Sequence, residues 1–240
     1  MHIESGILLH MGVNYLLTPP PSVDKRQFLA FQSALMDAGV DYGEARHNGQ
    51  TIILIRKSSP LQVRVGLPNP SLGQLLIVAP TPDIGLEMFG RQADAIVDAF
   101  AETWPATSRI VAADCTIRYL YESSRPRAFD EIWQGRLNQS PDALRVFGAT
   151  VGGGGLRLIF LPQPSPTDPL AMELKIESYL KDPRKVYVDV VFKWTHRKPA
   201  ETAFSPLRRL SDVDRFIEEK VVPFMQTSAE QEPPDVWRES

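Results

Sequence analysis

The pattern of hydrophobic and polar positions changes period several times along the chain, and each change predicts a new element. Residues 6–17, GILLHMGVNYLL, form an apolar run rich in strand formers, and the prolines of TPPPS end it. In the segment that follows, Phe28, Phe31 and Leu35 recur at helical spacing, Asp24 can cap the helix and Gly39 can end it. The chain therefore begins with a strand and an amphipathic helix.

Four strands and a second helix are predicted next. The dipeptide Asn48-Gly49 lies between two extended runs in VDYGEARHNGQTIILIRK, which is a strong signal for a β-hairpin. The runs LQVRVGL and GQLLIVA predict two further strands, and TPDIGLEMFGRQADAIVDAFAETW predicts a helix. The first half, residues 1–105, therefore has the order β-α-β4-α.

The same order begins again in the second half, residues 106–226. SRIVAADCTIRYLYES predicts a long strand, RPRAFDEIWQGRLNQ a helix and LSDVDRFIEEKVVPFMQ the last helix. Four strands are predicted between these helices, over ALRVFGATV, GLRLIFL, LAMELKIESYLK and KVYVDVVFKWT. The repeated order indicates an internal duplication, and residues 227–240 form an acidic tail of disordered composition.

The glycines Gly152–Gly155 fall between two of these predicted strands, at the place that Asn48-Gly49 holds in the first half. A phosphate-binding loop needs its glycines between a strand and a helix, so that helix N–H groups point at the anion. The run therefore predicts a hairpin, with an anion-binding nest as the less favoured alternative.

The predicted fold class is α+β: an internally duplicated β-α-β4-α chain with a curved antiparallel sheet and helices on one face. This order, over about residues 3–225, resembles the TATA-binding-protein-like fold. The chain also looks broadly similar to duplicated bacterial proteins of unknown function. The first resemblance implies that the two halves join through their first strands. Its DNA-binding members use a basic underside and phenylalanine wedges, whereas TIILI and QLLIV are aliphatic here.

Composition narrows the class of protein. The chain has 43% hydrophobic and 23% charged residues and a net charge of −3, which is ordinary for a globular protein and argues against nucleic-acid binding by the whole surface. Its one cysteine, Cys115, excludes an internal disulfide and fits a reducing compartment. The N-terminal segment has neither the basic leader nor the length of a targeting or membrane-spanning segment. We expect a cytoplasmic protein that contacts no membrane.

The second half contains a readable polar face. Met172, Leu174, Ile176 and Leu180 alternate with polar residues and are predicted to face the helices, as are Val186, Val188, Val190, Phe192 and Trp194. The candidate binding residues are on the other face: Arg157, Lys175, Glu177, Tyr179, Lys181, Tyr187, Asp189 and Lys193. This face is either a binding surface for a polar or anionic partner or a solvated face with cross-strand ion pairs.

The first half differs, because IILI and LLIVA are apolar on both faces of their strands. One face packs on helices, and the other needs a partner chain, a ligand or the tail to cover it. We expect a homo-oligomer or a protein partner at this face.

Catalytic chemistry has little support in the sequence. His2, His10, His47 and His196 show no metal-ligand spacing, and no nucleophile motif is present. Carboxylates at Glu173, Glu177 and Asp189 alternate with Lys175 and Lys193, which predicts neutralised pairs. We therefore assign no catalytic residue, metal or cofactor, and leave activity open.

The leading hypothesis is a non-catalytic protein-binding or assembly module of a bacterial cytosolic protein. The alternative is nucleic-acid or nucleotide binding on the second-half face, with phosphate contacts from cations and stacking on tyrosine. That alternative would use Arg157, Lys175, Tyr179, Lys181, Arg184, Lys185 and Lys193.

Overall fold

The computed structural model describes residues 2–69, 71–104, 109–161, 170–195 and 205–226. Their strands form one open antiparallel sheet in the order β2-β3-β4-β5-β1-β6-β9-β8-β7. The strands are β1 (His2–Thr18), β2 (Glu44–His47), β3 (Thr51–Arg56), β4 (Leu61–Asn69), β5 (Leu72–Pro80), β6 (Arg109–Glu122), β7 (Gly155–Phe160), β8 (Leu170–Ser178) and β9 (Lys185–Thr195). The predicted tail 227–240 lies outside the described residues.

The helices are α1 (Lys25–Asp37), α2 (Leu86–Thr103), α3 (Ala128–Asp130), α4 (Pro206–Phe216) and α5 (Val222–Gln226). A π-helix, Glu131–Arg136, continues α3, and a second one, Ile217–Val221, joins α4 to α5. The predicted α+β class is therefore confirmed. No helix in the described part of the chain is long and apolar enough to cross a membrane.

The two halves join as the resemblance implied, through their first strands. β1 and β6 pair antiparallel in the middle of the sheet, with Met11 opposite Ile117 and Val13 opposite Cys115. In each half the first strand also pairs with the last one, β1 with β5 and β6 with β9. In both half-sheets the first strand thus lies at the common centre and pairs with the last strand.

One face of this sheet packs against the helices and holds the core. On β1 the side chains of Met11, Val13 and Tyr15 are at most 1% exposed, and they alternate with residues of the opposite face. Burying an aliphatic side chain contributes about 1.5–3 kcal/mol to folding. The same alternation on β9 buries Val186, Val188, Val190, Phe192 and Trp194, as predicted.

The first half follows its predicted elements closely. The Asp24 carboxylate accepts hydrogen bonds from the backbone N–H groups of Arg26 and Gln27, and so caps α1. Gly39, just after α1, has a φ of 70°, which favours glycine. The predicted hairpin joins β2 to β3, and Gly49 in its turn has a φ of 81°.

The second half departs from the predicted β-α-β4-α order, because its helix is followed by three strands. The strand predicted over ALRVFGATV is wrong: Pro141–Phe147 form a 3₁₀ helix with no buried residue. Local signals favour the helix, since Ser140 caps it and Asp142 pairs with Arg145 at 2.9 Å.

The predicted glycine hairpin is therefore also wrong. Gly152–Gly155 connect the 3₁₀ segment to β7 instead of joining two strands. A Cβ atom on Gly155 would lie 2.0 Å from the Ile176 carbonyl oxygen, so glycine lets the strand start close to β8. One inward assignment is wrong as well: Leu180 is 79% exposed, because β8 ends at Ser178 and its alternation ends there.

Candidate functional site: the open face of the sheet

The face opposite the helices is called the open face here. Register places Arg157, Lys175 and Asp189 in one row across β7, β8 and β9, and places Arg118 of β6 next to Asp189. Glu177 is opposite Tyr187 in an adjacent row, and Lys193 is opposite Asp114. The structure thus brings most of the predicted residues onto one surface.

The two remaining candidates lie just beyond the end of β8. The ring of Tyr179 stacks on Tyr187, with 6.4 Å between the ring centroids, and so joins the open face. Lys181 is in the turn between β8 and β9 and is exposed. Only Lys181 stands apart from the predicted cluster.

Glu173 is the centre of the second-half open face, and its carboxylate is surrounded by cations. Arg157 Nε lies 2.8 Å from Oε1, Lys175 Nζ lies 3.3 Å from Oε1, and Lys193 Nζ lies 3.5 Å from Oε2. The hydrogen bond from Arg157, supported by Lys175, lowers the pKa of Glu173 to about 2. The carboxylate is therefore charged at neutral pH and holds three strands together.

Asp189 is a second buried carboxylate in this network. Its Oδ1 lies 3.2 Å from Arg118 Nε, and its Oδ2 lies 3.9 Å from Lys175 Nζ. Burial, with the nearby Asp189 charge, raises the pKa of Tyr187 to about 12. Tyr187 is therefore a neutral phenol at physiological pH.

A line of polar groups links the two halves across the centre of the sheet. Gln74 Nε2 donates to Asn14 Oδ1 at 2.8 Å, and Asn14 Nδ2 donates to Asp114 Oδ2 at 2.8 Å. Burial raises the pKa of Asp114. The sequence reasoning did not select these residues; the only signal was a polar side chain within each long apolar strand.

His10 lies in the same central region, opposite Arg118. Burial and, secondly, the positive charge of Arg118 lower the pKa of His10 to about 4. A Cβ atom on Gly12 would lie 2.9 Å from His10 Nε2, so the imidazole rests over a glycine. His10 is therefore uncharged at physiological pH, and its ring packs over Gly12 where β1 pairs with β6.

The first-half open face is aliphatic. Its exposed area includes partly buried side chains from four strands: Leu16 of β1, Ile53 and Ile55 of β3, and Leu76 and Val78 of β5, with Gln62 and Arg64 of β4 between them. We call the five aliphatic residues and Arg64 the aliphatic patch. Register places Arg64 directly between Ile53 and Leu76.

Arg64 is the charged member of the patch. Its Nε atom is buried and has no hydrogen-bond partner among the residues that the structure describes. A buried donor without a partner costs about 1–3 kcal/mol. Arg64 thus keeps an unmet donor in apolar surroundings among the described residues.

Exposed hydrophobic side chains also lie at the edge of the second half. Leu158, Ile159 and Leu161, in or just after β7, are 41%, 62% and 80% exposed. The sequence analysis placed the uncovered apolar surface in the first half alone. The structure shows a second exposed apolar surface at β7.

Comparisons with known proteins define no family. No family model and no curated protein matches the chain. Among solved structures, it is similar to the crystal structure of the Trypanosoma brucei AdoMetDC-delta26 monomer, at 9% identity and a TM-score of 0.32, over 82% of this chain and 67% of that one. A likeness at that score carries no argument.

Proposed function

We propose that the protein is a protein-binding module whose aliphatic patch docks a segment of a partner protein. The observation that carries the proposal is the buried Arg64 Nε, which has no partner among the described residues, within a patch of partly exposed aliphatic side chains. Exposed apolar surface rimmed by polar groups is typical of protein interaction sites.

The chemistry of the patch specifies the partner segment. Aliphatic or aromatic side chains of the partner would cover Leu76 and Ile53, and a carboxylate would pair with Arg64 between them. Arginine in the centre of an apolar interface is a frequent anchor of binding energy. The partner is therefore an apolar segment that carries an aspartate or glutamate.

Selection from a random peptide library displayed on phage tests this proposal with the full chain as bait. We expect enrichment of peptides that combine apolar residues with one acidic residue. Leu76→Lys and Arg64→Gln should each weaken binding of the selected peptides about tenfold or more, because they remove the apolar contact and the ion pair. Affinities can be measured by isothermal titration calorimetry.

The matched control is Met36→Lys, which replaces a 71% exposed apolar residue on α1, away from the open face. It should leave affinity unchanged. Peptides that bind the Leu76→Lys protein as well as the original would contradict the proposal. Displacement by a synthetic peptide of residues 227–240 would instead identify the chain's own tail as the occupant.

Nucleic-acid binding by the second-half face stays the alternative hypothesis, with less support. Lys185 pairs with Glu122, Arg184 Nε lies 3.3 Å from Asp182 Oδ1, and Arg157 binds Glu173. Phosphates would have to displace these carboxylates. Fluorescence anisotropy with a labelled single-stranded oligonucleotide at low salt tests it, since phosphate contacts weaken steeply as salt rises.

A further inference from the structure

The two edges of the sheet differ in how they resist pairing with another strand. β2, at one edge, has four residues, and its Glu44 pairs with Arg46 at 2.5 Å and with Lys57 at 3.6 Å. Short, charged edge strands prevent edge-to-edge association. β7, at the other edge, has six residues and a single charged side chain, Arg157.

The backbone of β7 offers a regular set of unused hydrogen-bonding groups. Ser178 N donates to Gly154 O at 3.0 Å, at the point where β7 and β8 begin to pair. Because bonded positions alternate along an antiparallel ladder, Leu156, Leu158 and Phe160 direct their N–H and C=O groups to β8. Those of Arg157, Ile159 and Leu161 point outward, where no described strand pairs with them.

We propose that two copies of this chain associate by pairing β7 with β7, antiparallel, about a twofold axis at Ile159. One sheet then runs continuously through both copies, with the helices on the same side. This interface is separate from the aliphatic patch, so it does not depend on the proposed function.

The sequence of β7 is self-complementary in this register. Ile159 is opposite its own counterpart, Leu158 is opposite Phe160, and Arg157 is opposite Leu161. Leu158 and Ile159 are thus each covered by an apolar side chain, and Leu161 lies against the aliphatic stem of Arg157. A second copy is the occupant because every contact is satisfied by the same short segment, as a twofold interface requires.

Charge selects this register over its neighbours. An axis at Arg157 would place two arginines opposite each other, which is destabilising. With the axis at Ile159, the two Arg157 side chains are four residues apart along the ladder, about 13 Å. That is beyond the screening length of about 8 Å at physiological salt. Each Arg157 also keeps its own Glu173 at 2.8 Å.

The ladder is short, because Pro162 follows Leu161 in the sequence and has no N–H group to donate. Pairing therefore spans residues 157–161 of each copy. An interface of this size is typical of a reversible, concentration-dependent dimer.

Sedimentation velocity over a range of protein concentrations is the first test. The full chain should show a monomer–dimer equilibrium, and Ile159→Lys should abolish the dimer, because two like charges would meet at the axis. Ile159→Pro should do the same without disturbing β7–β8 pairing, because the N–H group of Ile159 points outward. Ala45→Lys, at the exposed middle of β2, is the matched control and should leave the equilibrium unchanged.

Disulfide trapping tests the register. Paired residues at the axis of an antiparallel ladder have Cα atoms about 5.5 Å apart, within the range that a disulfide spans. Ile159→Cys should crosslink two copies under mild oxidation, and Leu161→Cys should not, while the native Cys115 is fully buried. A protein that stays monomeric at all concentrations, or a dimer that survives Ile159→Lys and Ile159→Pro, would overturn the proposal.

Discussion

The two halves of the sheet pair their first and last strands in the same way but present open faces of different chemistry. In the first half, aliphatic side chains surround Arg64, whose Nε has no partner among the described residues. In the second half, Glu173 and Asp189 are each held by two or more cations. One face has its polar groups satisfied internally, whereas the other keeps an unmet polar group in apolar surroundings. Among the described residues, the second-half open face is thus internally paired, and the first-half open face is aliphatic around one unpaired donor.

The helices on the other side of the sheet also differ between the halves. α1 has thirteen residues and packs against α2, whereas α3 has three residues and continues as a π-helix of six. Phe31 of α1 is fully buried, and its ring lies 5.3 Å from Trp104 and 6.5 Å from Phe100. Phe129 of α3 is 6% exposed and stacks on the partly exposed Trp133. The first half is therefore the better covered.

The largest expected effect comes from this difference in how fully the helices bury the core of each half. Phe31→Ala should lower the free energy of unfolding by about 3–5 kcal/mol, because it leaves a cavity inside a rigid aromatic cluster. Phe129→Ala should cost about 2 kcal/mol, because the partly exposed Trp133 that stacks on Phe129 can move into the space it leaves. Chemical denaturation measures both values, and equal losses would contradict the comparison.

The next-largest expected effect tests the ion-pair network of the second-half open face. Glu173→Gln should lower the free energy of unfolding by about 1–3 kcal/mol, because it removes the charge that Arg157, Lys175 and Lys193 share. The double variant Glu173→Gln with Lys193→Gln should cost less than the sum of the single changes, since the two groups interact. A loss that is strictly additive would show that this ion pair contributes nothing.

How far the sequence could predict these features depends on the range of the interactions. The alternation along β8 and β9 is local, so it assigned Glu173, Lys175 and Asp189 to one face. The contacts of Asn14 with Asp114 and of His10 with Arg118 depend on the register of strands about one hundred residues apart. No periodicity encodes that register. The 3₁₀ segment was missed because the capping signal of Ser140 and Pro141 outweighs a short apolar run.

The pH dependence of stability distinguishes His10, where β1 pairs with β6, from Glu173 in the second half. His10 titrates at about 4 in the folded state and near 6.5 when unfolded. The unfolded chain therefore binds more protons, and stability is lost as pH falls from 6.5 through 4. His10→Gln should remove this loss, about 1–2 kcal/mol after allowance for partial exposure.

Glu173 should affect the free energy of unfolding at a lower pH than His10 does. Its folded pKa is about 2, below the ordinary value of 4.5, so its contribution is complete above pH 4.5 and is lost as pH falls through 2. Glu173→Gln should flatten the profile only below pH 4.5. Denaturation curves at a series of pH values measure both effects, and a single shared window would contradict the assignment.

The smallest expected effect is the direction in which replacing Arg64 or Arg118 by methionine changes the free energy of unfolding. Arg64→Met replaces a buried donor, which lacks a partner within the described part of the chain, by an apolar side chain of similar length. It should therefore raise the free energy of unfolding by about 1 kcal/mol. Arg118→Met should lower it by about the same amount, because Asp189 loses a hydrogen-bonded cation at 3.2 Å. Thermal unfolding of both variants is sufficient, since only the direction matters. If Arg64→Met is destabilising, then Arg64 stabilises the free protein, and the proposal that the aliphatic patch docks a partner would be contradicted at its central residue.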